Sequence, residues 1–216
     1  MDGRLTYPGV EYIPIADATA EHPRNDSASI VEFDNGELFV VWIEMHASEW
    51  SGHDQAPSSI ASMRSYDGGS SWAEYRIEVS PAENDRSIYN PSLILLPCGD
   101  LLFFYLRYHH LVWNEPLEAS GYIKRSTDGG RTWSEPVAIW DYEPYGCANH
   151  TFALLTNGRL VKSCEHVPVW GAYPKCVSSS GCFVSDDRGV TWQRPANFVS
   201  LPLRGTMENH IAETNS

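Results

Sequence analysis

Ser65-Tyr66-Asp67-Gly68-Gly69-Ser70-Ser71-Trp72 recurs as Ser126-Thr127-Asp128-Gly129-Gly130-Arg131-Thr132-Trp133 and again as Ser185-Asp186-Asp187-Arg188-Gly189-Val190-Thr191-Trp192. The three aspartates are spaced by about 60 residues, a period that marks a repeat architecture. A second marker keeps the same step. Ala28-Ser29-Ile30-Val31 leads to Asn35-Gly36, Pro91-Ser92-Leu93-Ile94 to Cys98-Gly99, and His150-Thr151-Phe152-Ala153 to Asn157-Gly158. Two independent markers in one phase are far stronger than a lone turn motif. Within the turn, the aspartate is expected to accept backbone N–H bonds. The glycines supply positive φ, and the tryptophan folds back to plug the sheet.

Around these turns each period reads as four antiparallel strands. In the first period, Leu38-Phe39-Val40-Val41-Trp42 is continuously apolar and β-branched or aromatic, as a buried second strand over 37–44 should be. A long loop over 45–58 follows, then a third strand over 60–65 that reaches the Asp turn, and a fourth from near Trp72. Later second strands are expected over 101–107 and 159–164. One such sheet cannot cover its own faces, so the units must stack. Radial stacking into a β-propeller leaves only short, protected edges, and a linear solenoid is the alternative. The expected fold is all-β, with four-stranded antiparallel blades over about 24–80, 86–141 and 146–200 and the start of a fourth over 205–216.

Composition agrees with that reading. Among 216 residues, 42% are hydrophobic and 20% charged, which excludes disordered and fibrous classes. Eight Trp, 11 Tyr and 7 Phe with 16 Gly and 14 Pro suit short strands and many turns. The net charge of −13 opposes nucleic acid as a partner, although a local basic cluster can still hold a small anion. No apolar run is long enough for a membrane helix. Residues 1–17 are polar and acidic where a signal peptide would be basic and then apolar, so no leader is read and the compartment stays open. The five cysteines match no zinc or redox spacing. A Cys176–Cys182 bridge and free, partly buried thiols are both compatible with the sequence. His46, His53, His109 and His110 form no metal-ligand spacing, and neither a metal nor a cofactor is expected.

The three turns resemble the Asp boxes, or BNR repeats, of the sialidase superfamily, and the resemblance runs from about Arg24 to Ser216. It implies a six-bladed propeller. At the observed period six blades need about 360 residues, so this chain would hold about three and a half, with the rest expected C-terminal to Ser216.

Strand parity locates the chemistry. In a four-stranded antiparallel unit, the lead-in to the first strand and the loop between the second and third open on one face, and the two tight turns open on the other. The first set is long here, so it forms the expected functional face and the Asp boxes are structural. The lead-ins carry Arg24 to Asp26, Tyr89 with Asn90, Asn149 with His150, and Glu208 with Asn209. These polar sets converge on a small-molecule pocket. Of these, Arg24, Asp26, Tyr89, Asn90, Asn149 and His150 are expected to bind substrate.

The family resemblance adds two catalytic assignments. Met207-Glu208-Asn209-His210-Ile211-Ala212-Glu213 resembles the N-E-x-x-x-x-E stretch that opens the fourth blade. Glu208 would then activate a tyrosine nucleophile, which needs a base because its ordinary pKa is about 10, and Glu213 would be a strand residue. The plain alternative for Glu208 is a pocket-lining acceptor. Asp54-Gln55-Ala56-Pro57-Ser58-Ser59-Ile60 is similar to the stretch bearing the acid/base aspartate, with a solvated loop residue as the alternative for Asp54. Sialidases grip the sugar carboxylate with three arginines, the first in an R-I-P motif. Here Arg24-Asn25-Asp26 stands in that region without Ile-Pro, and counting back from Gly36 places Asp26 at the expected position. These readings imply an exo-acting, sialidase-like glycoside hydrolase that releases a terminal, acidic sugar from a glycan. The alternatives are a non-catalytic glycan- or protein-binding propeller and a related propeller glycosidase or lyase.

Overall fold

The computed structural model describes residues 12–146 and 151–214 together with Gly9. The described residues are all-β, and no helix among them is long and apolar enough to cross a membrane. The first sheet is an antiparallel meander of β1 (Arg24–Glu32), β2 (Leu38–Met45), β3 (Ser58–Ser65) and β4 (Ala73–Val79). The second sheet begins with β5 (Ser87–Leu95) and β6 (Leu101–His110). After the short β7 (Glu115–Pro116) it is completed by β8 (Glu118–Ser126) and β9 (Val137–Glu143).

The third sheet is less regular. Its first position is split into β10 (Tyr145–Gly146) and β11 (Phe152–Leu154), and both pair with β12 (Leu160–His166). The two-residue β13 (Val169–Trp170) pairs with β7 as a ribbon between the second and third sheets, and β14 (Ser179–Ser185) lies along β12. The expected fourth strand is reduced to isolated bridges, Val184 to Gln193 and Ser180 to Val199. Pro195 lies between them and has no N–H to give to a ladder. Residues 205–214 form no strand. Glu213, expected in one, instead accepts the Thr156 N–H at 2.9 Å and the Thr156 hydroxyl at 2.8 Å. Cys176 and Cys182 form no disulfide.

The second strands show why these sheets must pack face to face. Along β6, Leu101, Phe103 and Tyr105 enter one core with Phe39, Val41 and Ile60 of the first sheet. The intervening Leu102, Phe104, Leu106 and Tyr108 enter another with Leu160, Cys164 and Phe183 of the third. A strand covered on both faces reads as an unbroken apolar run, which is what Leu101 to Leu106 shows. First strands are stitched to each other by buried hydroxyls: Ser29 accepts the Leu93 N–H at 2.9 Å, and Ser92 accepts that of Thr151 at 3.4 Å.

Each Asp box closes on itself. Asp67 Oδ1 accepts the Ser71 N–H at 2.9 Å and the Ser65 hydroxyl at 2.8 Å, and Oδ2 accepts the Ser71 hydroxyl at 2.6 Å. Asp128 and Asp187 repeat the pattern with Thr132 and Thr191. Trp133 does more than plug its own sheet: it packs on Phe39 of β2 as well as Phe103 of β6, so the second box wedges between the first two sheets, while Trp192 packs on Phe152 of its own sheet. Gly189, at φ 84°, lies so close that a Cβ would stand 2.7 Å from Leu102 Cδ1 of the preceding sheet.

These hydrogen bonds set an acid limit. Side-chain hydroxyl donation, then backbone donation, lowers Asp67 and Asp187 to about 2, and the same causes lower Asp128. A carboxyl depressed in the folded state adds stability that is complete above its unfolded pKa near 4 and is lost as pH falls towards 2. The urea midpoint should therefore drop across that window, and drop less in Asp67→Asn, which lacks one of the titrating groups. Equal slopes in the two proteins would contradict this origin.

Candidate functional site

On the side opposite the Asp boxes, the lead-ins to the first strands and the loops between second and third strands enclose a cleft of about 360 Å³. Arg24, Asp26, Asp54, Tyr89, Asn90 and Glu208 all line it, brought together from four stretches of chain. Asn149 and His150 lie outside the described residues. The lead-ins share a backbone device. Ser27, Asn90 and Glu208 have φ of 48°, 52° and 52°, and the first two sit in irregularities that break the register of β1 between Asp26 and Ser29 and of β5 between Tyr89 and Ser92. Such a bulge re-aims side chains at the end of a strand.

Arg24 organises the near wall. Its Nη1 donates to Asp54 Oδ1 at 3.0 Å and to the Gly52 carbonyl at 3.4 Å, while Nη2 pairs with Asp26. The Ser27 hydroxyl braces Asp26 Oδ1 at 2.8 Å. Burial opposes the charge of Arg24, but Asp26 and Asp54 outweigh it and raise its pKa. The Asp54 carboxylate stays half exposed, at 52%. Its loop is fixed by the Gln55 side chain, which donates to the Leu111 carbonyl at 3.0 Å.

Tyr89 forms the floor, edge-on to Tyr108 with ring centroids 5.5 Å apart. Its buried hydroxyl finds no partner among the described residues. Burial, reinforced by the Asp54 carboxylate, raises its pKa far above the ordinary phenol range, so Tyr89 is a neutral hydrogen-bonding group and not an ionised nucleophile. The far wall is apolar, with Leu111, Leu117, Val167 and Trp170. The β7–β13 ribbon places Trp170 there, and the Trp170 carbonyl accepts the Asn114 N–H at 2.6 Å.

Glu165 was not singled out from the sequence. It sits in β12, buried, and accepts the backbone N–H of Glu208. Burial raises its pKa, and that N–H pulls the other way. A charged residue inside the run Leu160 to Val167 was the available signal. The segment bearing Glu208 is further held by Asn209 Nδ2 on the Cys164 carbonyl at 3.4 Å and by Thr206 N–H on the Ser178 carbonyl at 3.1 Å. Gly205, at φ 87°, makes this approach feasible, because a Cβ there would stand 1.8 Å from the Ser178 carbonyl oxygen. Gly205→Ala should cost about 2 kcal/mol through strain and overpacking. Hydrogen exchange at Thr206 to Asn209 should rise while β6 stays protected; unchanged exchange would show that the segment is held elsewhere.

A second cluster has triad-like connectivity but no room for chemistry. His109 Nδ1 lies 3.2 Å from Asp85 Oδ1, and His109 Nε2 lies 2.8 Å from Ser120 Oγ. Ser120 is fully buried, and its hydroxyl donates to Asp141 at 2.5 Å and accepts the Tyr142 N–H at 3.0 Å. A committed, inaccessible hydroxyl is a structural brace between β6, β8 and β9.

The BNR repeat-like domain family matches residues 51–199, which include all three Asp boxes. The chain belongs to this family. In fold, the BNR repeat-like chain is similar to solved sialidase structures. A Hadza microbial sialidase matches at 20% identity with a TM-score of 0.64, over 83% of this chain and 39% of that one. A protein of unknown function from Dyadobacter fermentans matches at 20% identity and a TM-score of 0.62, over 90% of this chain and 60% of that one. Trypanosoma rangeli sialidase, solved with 2,3-difluorosialic acid as a covalent intermediate, matches at 15% identity and a TM-score of 0.61, over 88% and 32%. The BNR repeat-like chain thus spans between about a third and three fifths of these relatives. No curated protein matches it.

Proposed function

We propose that this chain supplies the first three blades, and the lead-in to the fourth, of a six-bladed propeller that acts as a sialidase-like, exo-acting glycoside hydrolase. The repeat period and the greater length of the similar structures support further blades beyond these, and a tyrosine nucleophile among them belongs to the proposal. The observation that carries the reading is the meeting of Arg24, Asp54, Tyr89 and Glu208 in one cleft.

In this reading Asp54 is the acid/base. Arg24 holds Oδ1, and Oδ2 is left to deliver a proton to the leaving glycosidic oxygen and afterwards to take one from water. Glu208 accepts the proton of the tyrosine as it attacks the anomeric carbon, since an unassisted phenol is a poor nucleophile at neutral pH. Asp26, Tyr89 and Asn90 bind sugar hydroxyls. Asn149 and His150 belong to the same set by their place in the repeat.

The deciding experiment incubates the complete protein with fluorogenic sialyl, uronyl, rhamnosyl and galactosyl glycosides. Release of the fluorophore is expected from at least one. Binding of glycosides without release would assign the cleft to a non-catalytic glycan-binding propeller instead.

A further inference from the structure

Among the described residues that line the cleft, Arg24 and His210 are the basic side chains, against the carboxylates of Asp26, Asp54, Glu165 and Glu208. Arg24 is already engaged. One nitrogen donates to Asp54 and the Gly52 carbonyl, the other pairs with Asp26, and Asp26 is itself braced by Ser27. A ligand carboxylate would have to displace both aspartates from Arg24 and then lie among like charges in a partly dewatered cleft, where repulsion is poorly screened.

We propose that these walls of the cleft favour a neutral, hydroxyl-rich pyranoside over an acidic sugar. This rests on the cleft being the sugar site of a glycan-acting protein. The chemistry of the walls fits a neutral ring. Asp26 and Asp54 offer oxygens that accept sugar hydroxyls in charge-assisted hydrogen bonds, and the Arg24 tie holds them in place before the ligand arrives. The Tyr89 hydroxyl, buried and without a partner, is completed by a ligand hydroxyl. Trp170, Leu111 and Val167 present an apolar surface to the C–H face of the ring.

The test is calorimetric titration of the complete protein with methyl glycosides of galactose, glucose and rhamnose, and with those of glucuronic and N-acetylneuraminic acid. At least one neutral glycoside should bind about tenfold or more tightly than either acid. Added salt should strengthen acid binding, because it screens repulsion, and leave neutral binding unchanged. Asp26→Asn should narrow the gap by releasing one arm of Arg24. Acidic glycosides that bind as tightly as neutral ones, or that weaken with salt as a carboxylate held by a free arginine would, overturn the inference and leave the glycosidase reading standing. If no glycoside of either class binds or is cleaved, both fall.

Discussion

Glu37→Ala is expected to lower the unfolding free energy by about 3–5 kcal/mol, the range for removing one partner of a buried ion pair. Glu37 follows the hairpin glycine of the first sheet and is 5% exposed; Arg64, just before the first Asp box, is 3% exposed. They form an ion pair, and Arg131 of the second box adds contacts of 3.2 Å to each Glu37 oxygen. Arg64 also donates to the Gly129 carbonyl at 2.7 Å and lies 4.4 Å from the centre of the Phe39 ring. Burial works against ionisation of Glu37, but the two arginines prevail and lower its pKa. Removing Glu37 therefore strands a cation between two sheets. The second sheet repeats the device, with Arg125 on Asp100 at 2.6 Å and on the Arg188 carbonyl of the third box. The third sheet does not: Val184 stands where the arginine would be, and Arg159 turns to the exposed Asp186. Arg159→Ala should accordingly cost about 1 kcal/mol or less. Urea titrations of the two variants decide it. Adding Arg64→Met to Glu37→Ala should recover part of the loss, because the stranded charge is gone; comparable small losses for Glu37→Ala and Arg159→Ala would refute the clamp.

What the sequence revealed follows from how local each signal is. The Asp boxes were legible because their hydrogen bonds run between residues two to four apart, so the motif carries its own structure. β6 was legible because both of its faces are covered. The lead-ins that line the cleft could be found by counting back from the hairpin glycines, since the repeat fixes their phase. The reduced edge of the third sheet was missed because a single proline outweighed the repeat pattern there. The β7–β13 ribbon is too short for periodicity to register. Glu165 was hidden because its role depends on the Glu208 backbone, 43 residues away. The state of Arg24 was the furthest from reach, since a guanidinium tied to Asp54 across 30 residues and one open to a ligand read identically as a sequence.

Asp54→Asn is expected to reduce kcat about 10²–10⁴-fold in the complete protein, the span covered by a general acid/base. The substitution is nearly isosteric, and the amide oxygen can keep the 3.0 Å contact with Arg24, so the wall of the cleft and KM should change little. What the amide cannot do is carry a proton to the departing oxygen. The loss should therefore depend on the leaving group: a nitrophenyl glycoside, which departs without much protonation, should lose less than an alkyl or disaccharide substrate. Arg24→Gln separates position from chemistry, because it leaves the Asp54 carboxyl in place but frees its loop, and it should raise KM as well as lower kcat. A loss in Asp54→Asn that is equal for every leaving group would place Asp54 in binding and move the acid to another carboxyl of the cleft, Asp26, Glu165 or Glu208.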